Sequence, residues 1–219
     1  MNEIVKSMDV GSLVSGSIDR VKASSQTVIV FVGALTAIGF VSEYMATNRP
    51  GFLAAILSLA AAVAALYGGY WLLKNLLADA GELTNPSGFW PYLLAAIVVG
   101  IAVAIGLLLL ILPGLFLAAR WSLALPLVVG RSMPLGEALS TSWDRTADHW
   151  VNILLAGLAL VVVFLVIAIL LSLPDRPGGA AILISQLFSN TAQAVSTAFS
   201  VVLLMRLVGN TEAVGKVFD

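Results

Sequence analysis

Two ionisable residues, Glu43 and Arg120, fall inside long apolar segments of the chain. A charged side chain in such a setting is costly and needs a partner or a route to water. Arg120 lies seven residues past Pro113, about 10 Å along a helix that rises 1.5 Å per residue. Glu43 ends an earlier apolar run at comparable depth, so the two are expected to pair, directly or through water. The alternative is that Arg120 snorkels to headgroups alone. Gln186, Asn190, Gln193 and Thr197 follow i, i+4, i+7, i+11 spacing and share one helix face, which Ser189, Ser196 and Ser200 widen. Such a face either lines a hydrated path or headgroup pocket, or hydrogen-bonds to neighbouring helices. It holds no ionisable group to relay protons. If Arg120 faces the same interior, an anionic solute or lipid phosphate becomes the natural ligand.

Other chemistry is missing. There is no Gly-x-x-x-x-Gly-Lys-Ser/Thr loop and no Gly-x-Gly-x-x-Gly, so nucleotide hydrolysis and dinucleotide redox have no support. Cysteine is absent, which removes disulfides, thiolate nucleophiles and thiolate metal sites. His149 is the single histidine, so a multi-histidine metal site within the chain is excluded. The cluster Asp144, Asp148 and His149 reads as a helix start at an interface rather than an acid–base site. No catalytic residue, cofactor site or metal site is assigned.

These residues must be positioned by a membrane-class chain. It has 219 residues, 60% hydrophobic and only 11% charged, against about 25% charged in soluble domains. The net charge of −1 gives no electrostatic case for nucleic acid. The expected fold is an all-α polytopic membrane bundle, one domain over 1–219. Its six spans are expected near Thr27–Met45, Gly51–Leu73, Pro91–Leu112, Leu115–Val129, Trp150–Leu173 and Ala180–Val208. The fourth is short: its 15 residues rise about 22 Å against a core of roughly 30 Å, so it is expected either to recruit Gly130-Arg131 and neighbours or to be tilted, distorted or re-entrant. The N-terminal segment lacks a small-x-small cleavage pattern, so the first span reads as retained.

Basic residues set the orientation. Lys6, Arg20, Lys22, Lys74, Arg131, Arg145, Arg206 and Lys216 fall at one boundary, and Arg49 and Arg176 at the other, which predicts both termini in the cytoplasm. Pro50-Gly51, Pro113-Gly114 and Pro177-Gly178, spaced 63 and 64 residues apart, fall at expected outer turns. The reading is three tandem helical hairpins.

Two amphipathic segments flank these spans on the cytoplasmic side. Residues 1–26 carry an imperfect apolar stripe. The connector 132–149 carries Leu135, Leu139 and Trp143 on one face, a candidate partner-docking surface or simply a seal on the bundle edge. Ser132 can cap its helix and Pro134 suits the first turn.

The run Pro113-Gly114, Pro126, Glu137-Ala138-Leu139, Ser142-Trp143 and Thr146 resembles the membrane-domain family of glycerophosphoryl diester phosphodiesterases and the related YciC-like bacterial inner-membrane proteins. Six spans and about 220 residues agree with that resemblance. In fused members it implies that phosphodiesterase activity sits in a separate soluble barrel, so no catalytic residue carries over. The expected function is a non-enzymatic bacterial inner-membrane protein of accessory or scaffold type, in contact with lipid and with other membrane proteins or itself. The alternative is a transporter, channel or lipid-handling protein. That reading uses a polar interior around Glu43, Arg120 and the last span, with an anionic lipid or solute near Arg120.

Overall fold

The computed structural model describes residues 8–172 and 178–209. Every regular element among them is a helix: α1 Val10–Ala23, α2 Ser25–Asn48, α3 Phe52–Asp79, α4 Phe89–Leu109, α5 Ile111–Arg120, α6 Ala124–Arg131, α7 Leu135–Arg145, α8 Trp150–Ser172 and α9 Gly178–Leu207. Six segments are long and apolar enough to cross a bilayer, with α5 and α6 together forming the fourth. Helices suit this setting because they satisfy their backbone polar groups internally. The expected residues 1–7, Arg176-Pro177 and Lys216 lie outside the described residues.

The fourth span is both longer than expected and distorted: it runs Ile111–Arg131, taking in Gly130-Arg131, and is broken in the middle. α5 ends at Arg120, three turn residues follow, and α6 restarts at Ala124. Pro113 and Pro126 each stand in the first turn of their helix, where the missing N–H removes no intrahelical bond. Pro113-Gly114 is therefore not the turn the sequence suggested. The chain reverses at Leu110, which is extended (φ −158°, ψ 132°). Gly114 instead permits close crossing of α4 and α5. A Cβ on Gly106 would lie 2.8 Å from the Gly114 Cα, and one on Gly114 would collide with the Leu107 backbone nitrogen. Pro50-Gly51 does lie between α2 and α3, as expected.

Packing is concentrated at one end of the bundle. Leu13 of α1, Leu72, Leu76 and Leu77 of α3, Leu127 of α6 and Leu203 and Leu204 of α9 are fully buried there. The other end is loose, with Phe52 84% and Leu108 85% exposed within the chain. Lipid tails are as apolar as those side chains, so exposure there carries no hydrophobic penalty.

Three ties hold the packed end together. Arg206 donates to Ser12 Oγ (2.8 Å) and to the Ser12 carbonyl (2.7 Å), fixing α1 on α9. Asp9 caps α1 through the Ser12 N–H at 2.7 Å. The α3–α4 loop closes over the end of α6: Thr84 and Asn85 donate their N–H groups to the Gly130 carbonyl, both at 3.0 Å, and Arg131 pairs with Glu82 at 3.4 Å. Ser132 does not cap α7. It ends α6 in the left-handed region (φ 50°) and donates to the Asn85 carbonyl, while Pro134 takes the N-cap position of α7.

Candidate functional site

The break between α5 and α6 leaves buried backbone groups that need partners. Ser142 of α7 supplies them. Its hydroxyl donates to the Arg120 carbonyl at 2.7 Å and accepts from the Leu123 N–H at 3.2 Å. Thr146 Oγ1 donates toward the same Arg120 carbonyl at 3.2 Å and toward the Ser142 carbonyl at 2.8 Å. Ser142 and Thr146 are completely buried. The Ser-Trp-x-x-Thr portion of the connector therefore completes a broken transmembrane helix from outside it.

The Arg120 side chain turns toward the same connector. Its guanidinium lies 4.3 Å from the Trp143 ring centroid and 5.8 Å from that of Phe116. Phe116 in turn meets Trp150 edge-on at 5.1 Å. Arg120 is only 7% exposed, and its Nε has no hydrogen-bond partner among the described residues. Stacking on aromatic faces partly replaces lost hydration, worth up to about 2 kcal/mol when desolvated. Arg120 is thus buried in the bundle, but it does not pair with Glu43.

Glu43 is held elsewhere. Gln186 Nε2 donates to its carboxylate at 2.8 Å. Asn190 Nδ2 donates to Thr36 Oγ1 at 3.2 Å, and Ser42 and Ser58 hydroxyls meet at 3.4 Å. Glu43, Gln186, Asn190, Ser42 and Ser58 border a cleft of about 340 Å³ between α2, α3 and α9. Gly39 makes room for it, since any Cβ there would strike the Gln186 carboxamide. The first half of the α9 polar stripe therefore serves interhelical hydrogen bonding.

The second half does something different. Gln193, Ser196, Thr197 and Ser200 face a cavity of about 810 Å³ between α3, α4, α5, α8 and α9. Ligand pockets commonly run about 300–1,000 Å³. The remaining lining is almost wholly apolar, including Leu73, Val103, Leu158 and Phe164. Thr197 Oγ1 and Ser200 Oγ donate to carbonyls of α9 itself, at 2.9 and 2.8 Å. Their oxygens keep free acceptor capacity. Arg120 is not part of this lining, although Ala119, Trp121 and Ser122 beside it are.

The expected polar cluster is thus split three ways: Glu43 with Gln186 and Asn190, Arg120 with the aromatics, and Gln193 with Thr197 at the cavity. The expected docking face is partly engaged inside the chain, with Trp143 still 36% exposed. Leu135 packs against the core, Leu139 is half-buried, and Trp143 covers Arg120. Among the described residues no group of three His, Asp or Glu side chains could hold a metal ion. Sequence reasoning missed Tyr92 and Gly69 as cavity residues. Tyr92 could have been flagged as a polar aromatic just inside a span.

Residues 92–213, more than half the chain, match the family model described as the membrane domain of glycerophosphoryl diester phosphodiesterase. The matched region contains the cavity-lining parts of α4, α5, α8 and α9 and the whole connector. No protein of curated function and no solved structure matches the chain.

Proposed function

The chain belongs to the glycerophosphoryl diester phosphodiesterase membrane-domain family, and from that premise we propose that it is a non-enzymatic, lipid-handling protein of a bacterial cytoplasmic membrane. One observation carries the reading: a largely apolar cavity of about 810 Å³ with a polar strip along α9. That pattern suits an amphiphile, whose chain fills the apolar part while its headgroup hydrogen-bonds to α9. A dry, fully packed interior would have spoken for a purely structural bundle. Both termini are assigned to the cytoplasm by the Lys and Arg bias. The family description concerns a membrane domain, so no hydrolytic activity is transferred to this chain.

An accessory subunit role is the second reading. Its support is α8, whose Val162, Val163 and Val166, outside the cavity lining, are exposed within the chain and leave room for a partner helix. Isolation from native membranes in mild detergent tests both. Retention of an amphiphile by the isolated single chain supports lipid handling. Stoichiometric co-purification of a membrane protein with no retained lipid would replace it with the subunit role.

A further inference from the structure

The cavity has a direction and a charge preference. Phe164 of α8 meets Phe188 of α9 at 5.4 Å, which fixes the level of these two helices. Running antiparallel from that contact, Ser196 and Ser200 stand beside the first turns of α8. The cavity follows α8 from Ile153 to Ala168, about 22 Å at 1.5 Å per residue. Its polar groups gather at the α7 end, and its far end is lined by Phe164, Leu165, Ala168 and Phe188.

Three groups at the polar end have hydrogen-bonding capacity that the described residues leave unused: Tyr92 Oη, the Gln193 carboxamide and Ser196 Oγ. Tyr92 is 9% exposed and still lines the cavity. Gly69 brings two of them together. A Cβ at Gly69 would lie 2.8 Å from Tyr92 Oη and 3.2 Å from Gln193 Nε2. Tyr92 is buried, whereas Gln193 and Ser196 are exposed on the cavity wall, so all three present donors and acceptors to whatever occupies the chamber. Among the described residues no Lys, Arg, His, Asp or Glu lines the cavity. A charged headgroup there would sit in low dielectric without a counter-ion, at high cost.

We propose that the cavity takes an uncharged single-chain amphiphile. Its hydroxyl or amide headgroup is held by Tyr92, Gln193 and Ser196, and its chain points along α8 toward Ala168. This rests on the lipid-handling reading and narrows it. Arg120, turned to Trp143, takes no part.

Three diazirine-bearing C16 probes of the same chain test it in nanodiscs: the primary alcohol, the carboxylate and the trimethylammonium. The alcohol is expected to crosslink to α8 and α9 peptides at the cavity, and the two charged probes much less. Gln193→Leu and Tyr92→Phe should each raise the alcohol's half-saturating concentration about three- to tenfold, the loss of one neutral hydrogen bond. Circular dichroism checks folding, and Tyr92→Phe keeps the ring that packs on Tyr70 and Phe89 should Gln193→Leu misfold. Equal labelling of the cavity by all three probes, or alcohol labelling unmoved by either substitution, overturns the headgroup assignment and leaves the lipid-handling reading in place. Absence of cavity labelling by any probe overturns both.

Discussion

Ser142→Ala removes one oxygen and leaves two backbone groups of the broken span in different positions. The Leu123 N–H loses its acceptor at 3.2 Å. The Arg120 carbonyl loses its 2.7 Å donor but keeps Thr146 Oγ1 at 3.2 Å. Leu123 and Ser142 are both fully buried, so water does not substitute. An orphaned buried donor costs about 1–3 kcal/mol, and weakening of the carbonyl bond adds up to about 1 kcal/mol. The expected loss is therefore about 1–4 kcal/mol. Thr146→Ala should cost less, because Ser142 still serves Arg120. The double variant should lose more than the sum, because the carbonyl then has neither donor. The assay is reversible unfolding in bicelles, with Ser140→Ala on the exposed side of α7 as the unperturbed reference. A Ser142→Ala protein within about 0.5 kcal/mol of wild type would refute the idea that the connector completes the broken helix, since ordinary surface changes fall in that range.

Other expectations use the same unfolding assay. Gly114→Val should destabilise by about 1–3 kcal/mol or more, because its Cβ meets the Leu107 backbone nitrogen rather than a movable side chain. Gly100→Ala should be neutral or gain up to about 1 kcal/mol of helix propensity, because no atom lies within 4 Å of the added Cβ. Gly39→Ala should displace the flexible Gln186 side chain and break its bond to Glu43. That costs about 1 kcal/mol, and Gln186→Leu should leave Gly39→Ala without further effect. At Arg120, Met should be better tolerated than Lys. Lys keeps a buried charge but cannot stack flat on Trp143, whereas Met discards the charge and still packs.

The spans were legible because hydropathy reports what lipid accepts, and six apolar runs became six crossing segments. The i, i+4, i+7, i+11 face of α9 was legible too, because helical period needs no tertiary information. What that face meets was not. Gln186 and Asn190 find α2, whereas Gln193 and Ser196 find a cavity, a division set by the positions of α3, α4 and α8. One of the Pro-Gly dipeptides misled because Pro fits a turn and a first helical turn equally well. Pro113-Gly114 takes the second place, and its glycine serves helix crossing. Arg120 was placed by counting residues from Pro113, which gives distance along a helix but not the direction of the side chain. The break after Arg120 exposes its carbonyl to Ser142, and its side chain goes to Trp143. The family motif was visible, but its physical task required seeing α7 beside the break.

The lipid-handling account stands on occupancy of the cavity, and Gly157 offers the cleanest way to remove it. Gly157 lines the cavity, and an added Cβ there meets no atom within 4 Å. Gly157→Trp should therefore project an indole into the chamber and obstruct it without moving the backbone. Native mass spectrometry of both proteins, released from the same lipid membranes, reads the retained amphiphile directly. Wild type should carry one bound amphiphile per chain, and Gly157→Trp should carry none at unchanged helicity. Equal retention by the two proteins, or an empty wild type, would contradict the account.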